Sequence, residues 1–169
     1  MQNIIAYLAS PLGFTHAGQE FMNQKLSPML KNQGLTILNP WDSLELALVE
    51  IKKILTIANY DERVSSLKVF NNKIAKENEE MINKSDIMIA VLDGTDVDSG
   101  VAAEIGFAYA NGKKIIGYRG DFRVTGDNVG AIVNLQVEYF ISQSGGKIAT
   151  NLEDLENMVG KLQTVITTN

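Results

Sequence analysis

With 169 residues, 45% of them hydrophobic and 21% charged, the chain has the size and composition of one globular domain rather than of a disordered or membrane-spanning protein. Its net charge of −5 disfavours nucleic acid as a partner, because phosphate backbones are bound by clustered lysine and arginine. The absence of cysteine excludes disulfides and thiolate chemistry, and a single histidine, His16, excludes a multi-histidine metal site.

The opening residues, MQNIIAYLAS, carry no basic segment ahead of their apolar run. We therefore expect a strand here rather than a secretory signal peptide. No apolar run reaches the ~20 residues that a membrane span requires. A cytoplasmic location without a membrane partner is the expectation, and the lack of cysteine agrees with a reducing compartment.

The first half of the chain alternates short apolar runs with segments of helical periodicity. In chain order, the pattern predicts strands at 3–9 and 35–38 and helices at 18–33, 43–57 and 66–83. The first strand is closed by Ser10-Pro11-Leu12-Gly13, a turn-forming sequence.

The second half continues the alternation. It predicts strands at 86–92, 113–118 and 133–141, helices at 99–111 and 151–166, and a polar loop at 119–131. Strands that alternate with helices require a mostly parallel sheet covered by helices on both faces. Because ligands bind at the carboxyl ends of such strands, residues 7–14 and 92–104 are expected to meet at one site.

The stretch DVDSGVAAEIGFAYANGKK, residues 96–114, contains a carboxylate inside a helix of small residues. If this helix begins at Asp98, Glu104 lies about one and a half turns further on, on the face that Gly100 leaves open. A helix N-terminus favours an ionised carboxylate, so Glu104 suits a nucleophile or ion-pair partner better than a proton donor. The spacing alone also allows Asp98 to be only a helix cap and Glu104 an exposed glutamate.

Three further segments accompany this one: IAYLASPLGF (5–14), ENEEMINKSDIMIAVLDG (77–94) and VNLQVEYFI (133–141). Together with residues 96–123, they resemble the nucleoside 2-deoxyribosyltransferase family in order and spacing, over residues 4–141. The resemblance implies a flavodoxin-like (Rossmann-like), doubly wound sheet of five parallel strands, in a single domain spanning residues 1–169. It also implies transfer of a 2-deoxyribosyl group between nucleobases, without a metal or an organic cofactor.

The resemblance implies three catalytic residues. Glu104 matches the nucleophile that attacks C1′ of the sugar and forms a covalent ester; attack by the incoming base then gives net retention. Tyr7 matches the tyrosine that orients this nucleophile, and its alternative is a core tyrosine with a satisfied hydroxyl. Asp98 matches an acidic residue that contacts the substrate and assists proton transfer to the base.

The substrates implied are 2′-deoxynucleosides and free nucleobases, bound by Ser10, Phe14, Asn78 and Gly100. Phe14 matches an aromatic that stacks on the base or sugar, or else packs in the core. Asn78 stands where relatives carry aspartate or asparagine; an amide is no general acid but can bind a base edge. The choice between purine and pyrimidine therefore stays open.

Asn134 matches an asparagine that, in relatives, reaches the site of a neighbouring subunit and binds the sugar hydroxyls. The resemblance thus implies a homo-oligomer in which a neighbour completes each site. Gln136 stands where relatives carry methionine, which leaves its role in substrate binding uncertain, and Asn128 is a second candidate for the sugar contact. Loop 119–130 is a lid, a subunit contact or a solvated loop.

Two other functions remain open. A sister activity is an N-glycosidase that hydrolyses deoxynucleosides or their 5′-monophosphates, but relatives of that kind typically carry serine in place of Asp98. A carboxylate there would repel a phosphate, so Asp98 favours a free 5′-hydroxyl. A non-catalytic nucleotide-binding domain is the third reading; the joint presence of Tyr7, Asp98 and Glu104 tells against it. His16 is expected in a surface loop near the site.

Overall fold

Five apolar segments form one parallel sheet in the computed structural model, which describes residues 3–166 and side chains up to residue 162. The strands are β1 (Ile4–Ala9), β2 (Leu35–Leu38), β3 (Ile87–Val91), β4 (Lys114–Tyr118) and β5 (Ile148–Ala149). Their order across the sheet is β2-β1-β3-β4-β5. The central strands are apolar throughout because helices cover both faces of the sheet.

The connections of this sheet place its switch point between β1 and β3. Ala6 to Ala9 pair in parallel with Ile87 to Ala90, while β2 pairs with the other edge of β1. Ligand crevices in such sheets open where the strand order reverses, beyond the carboxyl ends of the strands. The flavodoxin-like prediction is therefore confirmed, and the switch point lies beside Tyr7 and the residues that follow Val91.

Seven α-helices flank the sheet within the described part of the chain. They are α1 (His16–Phe21), α2 (Ser27–Asn32), α3 (Leu44–Leu55), α4 (Tyr60–Lys84), α5 (Ser99–Ala110), α6 (Leu135–Gln143) and α7 (Leu152–Ile166). A π-helical stretch, Met22–Leu26, joins α1 to α2. Helix α4 begins earlier than its predicted start at 66, because the Asn59 side chain accepts a hydrogen bond from the Glu62 amide and caps it. None of the helices found in residues 3–166 could span a membrane.

The prediction of a strand at 133–141 is wrong, because this segment forms helix α6. The Asn134 side chain accepts hydrogen bonds from the amides of Gln136 and Val137 and so caps the helix. Val133, Val137 and Ile141 are buried at successive steps of four residues, which is a helical period. The fifth strand is instead the short β5, which pairs with the end of β4.

The two faces of the sheet carry separate apolar clusters. One cluster contains Met22, Leu26, Leu155 and Val159, from the segment Met22–Leu26 and helix α7. The other packs α4, α5 and α6 against the opposite face, with these buried residues among its members: Tyr7, Ile82, Val101, Ile105, Val137 and Ile141. Tyr7 thus belongs to the core on the face that carries α5, and the helix that bears Glu104 lies directly against it.

Candidate active site

A cavity of about 320 Å³ opens at the carboxyl edge of the sheet, next to the switch point. Ser10 and Phe14, which follow β1, line one side of it. Asp98, Gly100 and Glu104, from the start of α5, line another. The ends of β1 and β3 therefore supply neighbouring walls of one cavity.

The Glu104 carboxylate accepts hydrogen bonds from two side chains in this cavity. The phenol of Tyr7 donates a hydrogen bond to Glu104 Oε1 over 2.7 Å, although the two residues are 97 positions apart. Asn78 Nδ2, from α4, donates to the same oxygen at 3.5 Å, the outer limit for such a bond. Because both donors bind Oε1, the other carboxylate oxygen is left for a ligand.

The electrostatics of Glu104 differ from the sequence-based expectation. Burial raises the pKa of this carboxyl, the hydrogen bond from Tyr7 works in the opposite direction, and the charge of Asp98 raises the pKa further. The sequence-based expectation was that the helix N-terminus favours the ionised form, whereas burial is the largest influence on this pKa. The influence of a helix end fades within its first turn, and Glu104 lies beyond that turn.

Tyr7 is a fixed hydrogen-bond donor to this carboxylate. Its side chain is fully buried on β1, an inner strand of the sheet. Burial, with the charge of Glu104 as a further cause, raises the pKa of Tyr7 far above its usual value. The phenol therefore stays protonated over the whole physiological range and always has a proton to donate.

Asp98 caps helix α5 and lines the cavity at the same time. Its Oδ1 accepts hydrogen bonds from the amides of Gly100, at 2.9 Å, and Val101, at 3.1 Å. Its Oδ2 accepts no hydrogen bond from any residue between 3 and 162. The cap and a contact with substrate are compatible roles, since they use different oxygens of one carboxylate.

Trp41 forms a wall of the cavity that sequence reasoning missed. It follows β2 in a short 3-10 turn, Pro40–Ser43, and its Nε1 donates to the Ser10 carbonyl at 2.8 Å. Phe14 meets the indole edge to face, with ring centres 4.7 Å apart. The strand-end rule could have found Trp41, because β2 is parallel to β1 and Asn39-Pro40-Trp41 comes directly after it.

The far side of the cavity is apolar and is built by α3 and α4. Its side chains are Leu44, Ala47, Phe70, Ile74 and Met81. Asn78, which the family resemblance implied as a substrate-binding residue, lies among them at helical spacing. Among the described residues, the charged side chains of the cavity are Glu77, Asp98 and Glu104, and no lysine or arginine lines it.

Asn134 and Gln136 do not line this cavity. Asn134 is the cap of α6, and Gln136 is exposed in the first turn of that helix. Asn128 lies exposed in the preceding loop, where its side chain accepts a hydrogen bond from the Gly130 amide. Their contribution to the site of a neighbouring subunit stays a prediction.

The loop after β4 is anchored by a buried arginine. Arg119 is 2% exposed, and its guanidinium donates to the carbonyls of Leu92, of Gly94 at 3.2 Å and of Arg123 at 2.7 Å. The loop after β3, which leads to Asp98, is thereby tied to the loop after β4. Phe122, further along this loop, is 95% exposed, so the loop is anchored at its base while Phe122 lies in solvent.

Other residues considered from the sequence lie outside the cavity. His16 is exposed at the first residue of α1, and Lys113 donates to the carbonyls of Asn83 and Ser85, which ties the start of β4 to the end of α4. Within residues 3–162, no group of three or more histidine, aspartate or glutamate side chains is arranged to hold a metal ion.

Solved structures with the same fold include three bacterial and protozoan proteins. A conserved protein of Enterococcus faecalis V583 superposes with a TM-score of 0.67 at 22% identity, covering 95% of this chain and 99% of that one. A 2-deoxyribosyltransferase of the psychrotolerant bacterium Bacillus psychrosaccharolyticus gives 0.62 at 21% identity, with 90% of each chain covered. A 2-deoxyribosyltransferase of Leishmania mexicana gives 0.61 at 22% identity, covering 92% of this chain and 97% of that one.

The comparison with curated proteins found no match. A family profile described as nucleoside 2-deoxyribosyltransferase matches residues 6–136, which include most of β1, the cavity and the start of α6. This match supports a glycosyl-transferring enzyme that acts on nucleosides. Because the match covers most of the sequence, the chain belongs to the nucleoside 2-deoxyribosyltransferase family.

Proposed function

We propose that this protein transfers a 2-deoxyribosyl group from a 2′-deoxynucleoside to a free nucleobase, with Glu104 as the nucleophile. The observation that carries the proposal is the 2.7 Å hydrogen bond from the buried Tyr7 phenol to Glu104 Oε1 in the wall of the cavity. A partly buried carboxylate that keeps one oxygen for a ligand is suited to attack an anomeric carbon.

In the first step, the second oxygen of Glu104 forms a bond to C1′ while the bond from C1′ to the base nitrogen breaks. The electron pair of that bond stays on the base, which takes up a proton as it leaves. Asp98, with its Oδ2 uncommitted, is suited to relay this proton from solvent to the leaving base, to carry the proton of the acceptor base back to solvent in the second step, and to contact the sugar. The product is a deoxyribosyl ester of Glu104.

In the second step, a nitrogen of the acceptor base attacks C1′ from the face that the first base has left. The ester bond breaks, its electron pair returns to the Glu104 carboxylate, and the acceptor gives up its proton. Each displacement inverts C1′, so the two together retain its configuration.

The environment of Glu104 supports both steps. The sugar carries positive charge in an oxocarbenium-like transition state, and an adjacent anion stabilises that charge most strongly where water is scarce. Burial of Glu104 supplies such a medium. The hydrogen bond from Tyr7 favours the ionised form of the carboxylate and orients it for attack.

The charge of the cavity favours nucleosides over nucleoside 5′-monophosphates. Glu77, Asp98 and Glu104 contribute negative charge, and none of the described residues that line the cavity is basic. A phosphate dianion would find repulsion there and no cation to pair with. A free 5′-hydroxyl meets no such penalty.

Incubation with deoxyinosine and either adenine or cytosine, followed by chromatography, tests the proposal. A new deoxynucleoside supports transfer; free 2-deoxyribose would instead indicate hydrolysis, and neither product would indicate a binding protein. Glu104→Ala should abolish the reaction. Glu79→Ala, a change at an exposed glutamate of α4 outside the cavity, should leave it intact.

A 2-fluoro-2-deoxy nucleoside analogue tests the covalent step. The fluorine destabilises the oxocarbenium-like transition state and should slow the release of the ester. Peptide mapping by mass spectrometry should then find the adduct on Glu104. An adduct on another residue would rule out Glu104 as the nucleophile.

A further inference from the structure

Trp41 is held rigidly against the end of β1. Its Nε1 donates a 2.8 Å hydrogen bond to the carbonyl of Ser10, and its backbone amide donates to the Asn39 side chain at 3.2 Å. Ser10 follows the strand that bears Tyr7. The indole is therefore fixed relative to the strand whose tyrosine binds Glu104.

Gly13 shows how closely the β1 loop approaches this indole. A methyl group at Gly13 would stand 1.9 to 2.3 Å from three ring atoms of Trp41, so no other residue fits without displacing the ring. The backbone of Gly13 thus covers part of the indole. The neighbouring Phe14 meets the indole at 79°.

Phe14 and Trp41 leave aromatic surface facing the cavity. Phe14 is 73% exposed although it lies beside Trp41, and both residues line the same cavity as Glu104. Across the cavity lie apolar side chains of α4, including Phe70 and Ile74. A planar group between these two walls would bury both of its faces against apolar surface, while the carboxylates contact its polar edges.

We propose that Trp41 is a nucleobase-binding residue: with Phe14 it forms an aromatic corner on which the base packs, held in register with Glu104 by the hydrogen bond to Ser10. This inference rests on the proposed transferase function and adds a residue to it. The contact is with the face of the base, not with the reacting bond. The contact is therefore present before and after the glycosidic bond breaks, and it is made by the donor nucleoside and by the acceptor base alike.

An interaction of equal strength in ground and transition state changes KM and leaves kcat unaffected. We expect Trp41→Ala to raise KM for both the nucleoside and the acceptor base about 10- to 100-fold, the range typical of one lost aromatic stack. The change in kcat should stay within about threefold. Tyr60→Ala, which removes a 68% exposed aromatic outside the cavity, is the matched control and should change neither constant.

Two further variants separate binding from folding. Trp41→Phe keeps an aromatic ring and should lose less affinity than Trp41→Ala. Gly13→Ala pushes on the indole from behind and should raise KM in the same direction, although Gly13 does not line the cavity. Circular dichroism establishes that each variant is folded. A folded Trp41→Ala variant with unchanged KM would overturn the proposal, as would one that loses only kcat.

Trp41 also provides a direct readout, because it is the only tryptophan of the chain. In the Glu104→Ala variant, which is expected not to turn over, adenine and deoxyadenosine should change the tryptophan emission saturably, whereas 2-deoxyribose should not. Emission that stays constant at base concentrations that saturate the wild-type enzyme would contradict the aromatic corner.

The two readouts distinguish the inference from the proposed function. A saturable emission change without transfer by the wild-type protein would support the aromatic corner and refute the transferase. Transfer with constant emission and unchanged KM in Trp41→Ala would support the transferase and refute the role of Trp41.

Discussion

Replacement of Tyr7 by phenylalanine tests the contact that positions the proposed nucleophile. The ring of Tyr7 belongs to the apolar core, and phenylalanine keeps that packing, so the change removes only the hydroxyl. Glu104 Oε1 then retains Asn78 as its remaining donor, at 3.5 Å. Nearly all of the hydrogen-bond stabilisation of the carboxylate is lost.

The size of the effect follows from the kind of bond removed. A hydrogen bond to a charged group contributes about 1.5–3 kcal/mol, which corresponds to about a 10- to 150-fold change in an equilibrium or rate. We expect kcat/KM at neutral pH to fall within this range. Because the Tyr7 bond lowers the pKa of Glu104, its removal lets burial raise that pKa further.

The decisive measurement is the pH dependence of kcat/KM for deoxyribosyl transfer. In the proposed mechanism the attacking Glu104 is ionised, so the acidic limb of the profile should move to higher pH in Tyr7→Phe. Tyr109→Phe removes a hydroxyl from a tyrosine of the same helix as Glu104 and should leave the limb in place. An unshifted limb in Tyr7→Phe, or activity equal to the wild type, would refute the role assigned to this contact.

Three other substitutions have distinct expected outcomes. The folded-state pKa of Glu104 is raised, so the stability that this group contributes is present below its unfolded-state pKa and is lost as the pH rises through its folded-state pKa. Glu104→Gln should therefore have a higher melting temperature than the wild type at neutral pH, and the two melting temperatures should become equal below about pH 4. A difference in melting temperature between Glu104→Gln and the wild type that is the same at neutral pH and below about pH 4 would contradict this. Asp98→Asn keeps a capping oxygen for Gly100 and Val101 and should retain stability while slowing transfer, whereas Asp98→Ala should also lose about 1 kcal/mol in urea unfolding. Arg119→Met leaves buried carbonyls without their donor and should cost about 2–4 kcal/mol in the same measurement; a loss below about 1 kcal/mol would show that the guanidinium is dispensable.

The fold was predictable wherever a segment had one dominant periodicity. The unbroken apolar run that ends at residue 92 favours a buried strand, and the small-residue segment after Asp98 favours a helix. The rule that ligands bind at the carboxyl ends of parallel strands then brings Glu104 near β1. Residues 133–141 carry a weaker signal, because valine, tyrosine, phenylalanine and isoleucine are common in strands. The four-residue spacing from Val133 to Ile141 and the cap at Asn134 were the features that favoured a helix.

The site was only partly predictable, for a physical reason. The Tyr7 and Glu104 pair lies where parallel strands must end together, which chain order alone indicates. The apolar wall of Phe70, Ile74 and Met81 depends instead on how α3 and α4 cross the sheet edge, which is decided by tertiary packing. The raised pKa of Glu104 has the same origin, since burial is a property of the packed chain.

The two sides of the cavity differ in how deeply their residues are buried in the core. Glu104 is hydrogen-bonded to Tyr7, which has no solvent exposure on the inner strand β1, whereas α3, which supplies Leu44 and Ala47, has no buried residue. Substitutions along α3 can therefore reshape the space proposed for the base while the Tyr7 and Glu104 pair keeps its geometry. Changes of base preference, whether by evolution or by engineering, should accumulate on that helix first and carry little penalty for folding or for chemistry.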